Sequence, residues 1–260
     1  MKRDFLAALL LLVAGVQTAL AQKIVLHMTG NQKVEYDISQ LDSITFEGDD
    51  LIIGEEHEWV DLGLPSGTLW ATCNVGANSP EEYGDYFAWG ETEPKNFYAW
   101  HTYKYCMGDY NTMTKYCPQS DFGYNGFTDN LTELVPEDDA ATANWGNGWQ
   151  MPSMAQFREL FNSDYTTTEW MAQDGVKGRK ITSNANGKSI FLPAAGFSDN
   201  RPNVGSGIYG YSWSGSLSKL DDGEDGYCAF GLCFEQSNFY LDSDWLRLYG
   251  LSIRPIRVKR

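Results

Sequence analysis

The apolar and polar positions along the chain predict many short strands and very few helices. Two strand-like runs, residues 23–28 and 33–38, are separated by a Thr-Gly-Asn sequence, which is a hairpin signal. From residue 57 onward aromatic residues are dense, glycine and asparagine interrupt the apolar runs at short intervals, and long helical periodicity is missing. The pattern therefore predicts an α+β, β-rich fold in which long structured loops join short strands.

One segment has the pattern of a short helix with a defined start. Ser153 and Gln156 have the spacing of a capping box. Apolar residues then recur at i, i+3 and i+4, which places Phe157, Leu160 and Phe161 on one face. We therefore expect an amphipathic helix that begins directly after Ser153.

Two tryptophans flank the glycine-containing turn that precedes this helix. Trp145 and Trp149 enclose a Gly-Asn-Gly sequence, whose glycines permit a tight turn. Large rings beside the apolar face of a helix are usually buried rather than ligand contacts. We therefore expect both rings to pack in the core.

The first 21 residues have the features of a secretion signal. Lys2 and Arg3 precede an apolar run over residues 5–16, and residues 19–21 (Ala-Leu-Ala) suit a signal peptidase. This run and all later ones are shorter than the roughly 18 residues that a membrane span requires. We therefore expect an exported protein without a membrane span. We also expect no lipid anchor, because the residue after the cleavage site is Gln22 and no cysteine lies nearby. The predicted organisation is a signal peptide over residues 1–21, a small β-hairpin module over 22–56 and a main domain over 57–260.

Charge and cysteine content narrow the possible partners and the chemistry. The formal net charge is −16, and such an acidic surface repels phosphate backbones, so nucleic acid is not an expected partner. Export permits disulfides, but five cysteines leave at least one thiol unpaired. Cys106 and Cys117 flank a turn-rich loop and are the predicted pair. Cys228 and Cys233 are the next candidates, either as a disulfide or as buried thiols.

Six segments of the main domain occur in an order that resembles a known family. They read VDLGLPSGTLWATCNVGA (60–77), YGDYFAWGET (83–92), GWQMPSMAQFREL (148–160), LPAAGF (192–197), GYSWSGS (210–216) and YGLSIRPIRV (249–258). This order resembles the Fibrobacter succinogenes major paralogous domain, an exported module of Bacteroidetes. The resemblance implies a C-type-lectin-like fold, distantly related to the formylglycine-generating-enzyme fold, in which long loops on one side hold the ligand.

Two aromatic and polar stretches, residues 209–213 and 238–247, provide the candidate binding residues. Because alternate side chains of a strand share a face, alternate residues of 209–213 and of 238–242 would each lie together. Rings with short polar groups suit sugar stacking or protein recognition, and the resemblance implies a ligand surface in this C-terminal region. The predicted ligand-binding residues are Tyr209, Tyr211, Trp213, Asn238, Tyr240, Asp242, Asp244, Trp245 and Arg247. For Trp213, which lies in a motif that looks structural, a core position is an open alternative.

These residues predict a non-catalytic binding module for a glycan or a surface protein, with preorganised side chains that limit the entropy lost on binding. One alternative is a structural subunit of a surface assembly, in which the N-terminal hairpin gives or takes a strand. The other alternative is an oxidative enzyme of the formylglycine-generating type. The resemblance implies this role for Cys228 and Cys233, but the intervening Ala-Phe-Gly-Leu lacks the basic or polar neighbours of a reactive thiolate.

The sequence predicts no resident cofactor. The three histidines are far apart, and the calcium signatures of lectins are missing. A carboxylate cluster at Asp221, Asp222 and Asp225 is a weak calcium candidate, for which a solvated acidic loop is the preferred interpretation.

Overall fold

A computed structural model gives the structure of the chain in two units, Met1–Glu56 and His57–Arg260, each of which is described by itself. The structure describes the strand backbones 23–28 and 32–37, and residues 57–146, 148–201, 203–218 and 226–258 in full. The predicted signal peptide and the calcium candidates Asp221, Asp222 and Asp225 lie outside the described residues.

The first unit contains the predicted hairpin. Lys23–Met28 (β1) and Gln32–Asp37 (β2) pair in antiparallel register, with Lys23 opposite Asp37 and Met28 opposite Gln32. β1 has the predicted bounds, and β2 begins and ends one residue earlier than predicted.

The described part of the second unit contains three antiparallel sheets of three strands each, with the orders β3-β4-β11, β5-β6-β7 and β8-β9-β10. The strands are Trp59–Asp61 (β3), Thr68–Ala71 (β4), Thr166–Gln173 (β5), Val176–Ser183 (β6), Ser189–Pro193 (β7), Gly210–Leu217 (β8), Cys228–Phe234 (β9), Phe239–Leu246 (β10) and Ile256–Val258 (β11). This architecture confirms the β-rich α+β class.

The predicted helix is present as Met154–Leu160 (α2). Its capping box is formed, because the Ser153 Oγ accepts the Gln156 amide at 3.4 Å and the Gln156 Oε1 accepts the Ser153 amide at 2.8 Å. The apolar face of α2 is buried through Met154, Phe157 and Leu160.

A second short helix, Ala140–Trp145 (α1), is missed by the sequence pattern because six residues are too few to show a helical period. Its N-cap is Asp139, whose Oδ1 accepts the Thr142 amide at 3.0 Å. The predicted burial of Trp145 and Trp149 is confirmed, and their rings meet at 5.0 Å edge to face.

The β8–β10 sheet separates two apolar clusters. Adjacent residues of β9 point to opposite faces, so Leu232 and Phe234 enter the cluster that contains Phe157 of α2. Ala229 and Cys233 enter the other cluster. Because both faces of β8 and β9 are packed, the buried side chains of these two strands are held in fixed positions.

The helices that the structure describes are all too short to span a bilayer.

Candidate functional site

An aromatic cluster lies where one face of the β8–β10 sheet approaches solvent. We define the aromatic cluster as Phe197, Tyr209, Tyr211, Trp245 and Tyr249. The ring of Tyr211 is central, with ring-centroid distances of 4.7 Å to Trp245, 5.5 Å to Phe197 and 6.1 Å to Tyr209. Phe197 also lies 5.4 Å from Tyr249. These distances are those of favourable aromatic pairs, so the rings support one another.

Strand register explains why residues from three strands meet on this face. Tyr211 of β8 lies opposite Cys233 of β9, which lies opposite Tyr240 of β10, so all three side chains share one face. Gly231, two residues before Cys233 on the same face, has no side chain. Trp245 and Tyr211 therefore come together across β9, where a Cβ at Gly231 would lie 3.6 Å from Trp245 Cδ1.

Backbone pairing in two turns positions the remaining rings. Phe197 and Val204 exchange backbone hydrogen bonds of 3.1 and 2.8 Å. The preceding Gly196 has φ +67°, and a Cβ there would lie 2.3 Å from the Val204 carbonyl oxygen, so this turn requires glycine. Next to Tyr249, Gly250 and Ser198 exchange two further backbone bonds of 2.9 and 2.8 Å. The loop rings are thereby fixed before any ligand binds.

The rings of this site differ in exposure, from buried on β8 to exposed on β10 and in the loop before β8. Tyr211 is buried, and Phe197, Trp245 and Tyr249 are half-buried. Tyr209 is 38% exposed, and Tyr240, beside the aromatic cluster by register, is 47% exposed. A ligand would therefore meet Tyr209 and Tyr240 first.

The buried part of this site is uncharged at neutral pH. Burial, and then the hydrogen-bonded Cys233 side chain, raises the pKa of the Tyr211 hydroxyl well above its usual value. Burial likewise raises the pKa of the Cys233 thiol to about 11, despite the opposing hydrogen bond from Tyr211. Glu235 acts electrostatically on both groups. The site therefore combines neutral rings and hydroxyls with a nearby acid, which disfavours anionic ligands.

Trp245 retains an unused hydrogen-bond donor. Its indole Nε1 is buried and has no hydrogen-bond partner within the described part of the chain. Buried indole N–H groups usually find a partner.

Trp213, predicted as a ligand contact, is instead a core residue. Its side chain is fully buried, and its Nε1 donates to the Phe87 carbonyl at 2.8 Å. Trp213 shares the face of Tyr211, as alternation predicts, but it lies deeper, where the face packs against the main cluster. Tyr209 lies outside β8 and is held by the loop before it.

Arg247, also predicted as a ligand contact, is fully buried. Its guanidinium donates to the Tyr103 hydroxyl at 2.9 Å and to the carbonyls of Lys115, Tyr116 and Gly226 at 3.0 Å each. It thereby fastens the end of β10 to the 103–117 loop. A charged side chain normally indicates a surface position, but backbone carbonyls satisfy this one inside the core.

A β-bulge overturns the predicted common face of Asn238, Tyr240 and Asp242. The register shifts between Tyr240 and Ser243, and Asp242 adopts φ +62° in this bulge. Its carboxylate forms an ion pair with Arg158 of α2 instead of facing the aromatic cluster.

Asn238 and Asp244 also lie apart from the aromatic cluster. Asn238 is exposed in the turn between β9 and β10, where its carbonyl accepts the Glu235 amide at 2.9 Å. Asp244 pairs with Phe230 and alternates with Trp245, so its side chain points to the opposite face.

Two members of the aromatic cluster, Phe197 and Tyr249, are missing from the predicted site. Both lie in loops, where no alternating pattern marks the direction of a side chain. The available signal is that each ring is adjacent to a glycine, Gly196 or Gly250, within a segment that carries the family resemblance.

The cysteines do not form the predicted pairs. All five are buried, and no disulfide joins any two of them. Cys106 lies opposite Met113 and directs its Sγ to the Trp100 carbonyl at 3.0 Å, whereas Cys117 directs its Sγ to Gln119 O at 3.1 Å. The predicted Cys106–Cys117 disulfide is therefore absent.

Cys228 and Cys233 lie on the same strand, β9. Five residues of extended chain separate them by about 16 Å and place them on opposite faces. A disulfide requires Cα atoms about 4.4–6.8 Å apart. This geometry matches neither a disulfide nor a pair of cooperating active thiols.

Groups of three or more His, Cys, Asp or Glu residues suited to a metal ion do not occur among the described residues.

A scan against models of protein families, a search of curated proteins and a search of solved structures each returned no match. The family resemblance therefore depends on the sequence segments themselves.

Proposed function

We propose that this protein is an exported, non-catalytic binding module that recognises a glycan or a surface protein through the aromatic cluster and Tyr240. The observation that carries the proposal is the cluster's gradient from buried to exposed rings beside strands β8 and β9, which are packed on both faces. A rigid surface of this kind loses little conformational entropy on binding.

The chemistry favours a neutral glycan over the protein alternative. Tyrosine and tryptophan present flat apolar faces with polar tips, which match the alternating apolar and hydroxyl-bearing surfaces of a sugar ring. Tyr211 is neutral, and Glu235 disfavours anionic groups. The family resemblance supports a ligand surface in this region, and the predicted signal peptide supports a location outside the cytoplasm. The C-type-lectin-like fold belongs to the same proposal.

A screen of purified residues 22–260 against neutral glycans and surface proteins tests the proposal. Replacing Tyr209 and Tyr240 together by alanine is expected to weaken binding at least tenfold, because stacked rings each contribute about 1 kcal/mol or more. The double variant should keep its melting temperature, since both side chains are substantially exposed.

Two matched controls make the result specific. Replacing Tyr124, which is 44% exposed and makes none of the ring contacts of the aromatic cluster, by alanine should leave affinity unchanged. Replacing Tyr209 and Tyr240 by phenylalanine separates the ring from the hydroxyl. Full affinity in the double alanine variant would contradict the proposed site.

A further inference from the structure

Among the arginines that the structure describes, Arg257 differs from the others because its guanidinium has no hydrogen-bond or ion-pair partner. The other five direct their guanidinium groups to oxygen atoms; they are Arg158, Arg179, Arg201, Arg247 and Arg254. Arg257 forms neither a hydrogen bond nor an ion pair with any part of the chain that the structure describes, and it is half-buried. Its donors are therefore available to a ligand.

Two indole rings hold this guanidinium in place. The Cζ of Arg257 lies 4.9 Å from the ring centroid of Trp59 and 5.3 Å from that of Trp149. Trp149 is itself packed against Trp145, on which His57 stacks at 3.7 Å. Cation–π contact with stacked rings restricts the orientation of the guanidinium, so less entropy is lost when it binds.

The backbone around Arg257 is fixed as well. Arg257 lies in β11, opposite Leu69 of β4, and Gln150 and Ile256 exchange hydrogen bonds of 3.0 and 2.9 Å. Gly148 adds no side chain near the guanidinium, where a Cβ would lie 3.6 Å from Arg257 Nη2. Asp61 lies on the same face across β4, but its Oδ1 accepts the Gly63 amide at 2.9 Å.

Trp59 provides an open apolar surface beside this charge. Its side chain is 46% exposed, although tryptophan is highly buried on average. An exposed indole face suits stacking on the apolar side of a sugar ring. The guanidinium fork suits a planar carboxylate, which it binds with two parallel hydrogen bonds.

We propose that Arg257, Trp59 and Trp149 form a second binding site, which takes a carboxylate-bearing sugar residue. The carboxylate binds the guanidinium, and the sugar ring stacks on Trp59. One arginine in a chain of net charge −16 favours a single acidic residue over a densely charged polymer, which the protein surface repels. This site is separate from the aromatic cluster and does not depend on the function proposed for it.

Titration of the purified protein with a glucuronic-acid-terminated oligosaccharide and with its carboxyl-reduced counterpart tests this site. Wild type is expected to bind the acidic form at least tenfold more tightly, and added salt should reduce this preference. Replacing Arg257 by glutamine should remove the preference, and replacing Trp59 by alanine should weaken binding of both sugars. Arg201→Gln, at an exposed arginine paired with Asp199, is the matched control and should change nothing.

Three results would overturn the proposal: equal binding of the two sugars by wild type, a preference that survives Arg257→Gln, or an acidic peptide that binds as tightly as the acidic sugar. Arg257→Lys keeps the charge but lacks the fork, so it tests the bidentate contact even if the glutamine variant does not fold. Because the Tyr209 and Tyr240 variants leave this site intact, failure here is distinguishable from failure of the aromatic cluster.

Discussion

At the scale of single residues, side-chain type alone misplaces Trp213 and Arg247. Both occur in stretches that also contain exposed aromatic residues, and both are fully buried. The Trp213 indole N–H donates to the Phe87 carbonyl. The Arg247 guanidinium donates to three carbonyls and a hydroxyl. These hydrogen-bond partners lie in loops more than 20 residues away in sequence, so the residues next to Trp213 and Arg247 do not predict them. Trp145 and Trp149, by contrast, are predictable because the adjacent helix pattern indicates a core position.

The buried guanidinium of Arg247 gives a direct prediction. Replacing it by lysine should lower the free energy of unfolding by about 3 kcal/mol, because an ammonium cannot reproduce the fork and leaves buried carbonyls unpaired. Denaturant unfolding measures the effect. Arg201→Lys at an exposed position should change the same free energy by less than about 0.5 kcal/mol. Equal effects of the two substitutions would argue against the buried network.

At the scale of elements, the sequence patterns that correctly predict structure lie entirely within one short segment of the chain. The capping box of α2 and the β1–β2 hairpin are each specified by residues within one short segment. The bulge in β10 is different, because one extra residue reverses which side chains share a face, and nothing in the alternation of residues 238–246 marks it. This element removes Asp242 from the predicted site but leaves Tyr240 and Trp245 on one face.

The left-handed conformation of Asp242 predicts the outcome of two substitutions. Asp242→Gly should leave stability within about 0.5 kcal/mol of wild type, because glycine adopts φ +62° without strain. Asp242→Val should cost about 2 kcal/mol, since a β-branched residue is strained there. Both lose the exposed ion pair with Arg158, so the ion pair does not contribute to the difference in unfolding free energy between the two variants. Equal stability of the two variants would refute the bulge conformation.

At the scale of the whole molecule, the pattern of short apolar runs and turn residues predicts the β-rich class, but it does not predict which distant segments contact one another. Buried polar side chains connect these distant segments through hydrogen bonds. Arg254 donates to Ala71 O, Thr72 O and Phe191 O, and burial lowers its pKa to about 10. Asp138 accepts hydrogen bonds from Lys115 at 2.5 Å, from Tyr116 at 2.7 Å and from Tyr105. No short pattern in the sequence predicts such contacts.

Asp138 makes the stability of the protein sensitive to acid. Burial opposes its ionisation, but hydrogen bonds from Lys115, Tyr105 and Tyr116 outweigh burial and hold its pKa below the usual value. The contribution of Asp138 to the free energy of unfolding is therefore present above the unfolded-state pKa of about 3.9. It is lost as the pH falls through the lower folded-state pKa. Asp138→Asn should cost about 3 kcal/mol near neutral pH, and less below pH of about 3. An unfolding free-energy difference that stays constant with pH would contradict this role.

The central claim is that a ligand covers the exposed end of the aromatic cluster. The most direct test is oxidative footprinting of the wild-type protein, with mass spectrometry of Tyr209, Tyr240 and the control Tyr124, with and without a ligand from the binding screen. The structure predicts that bound ligand protects Tyr209 and Tyr240 together and leaves Tyr124 unchanged. Unchanged modification of both tyrosines at saturating ligand, with protection elsewhere on the domain, would contradict the claim.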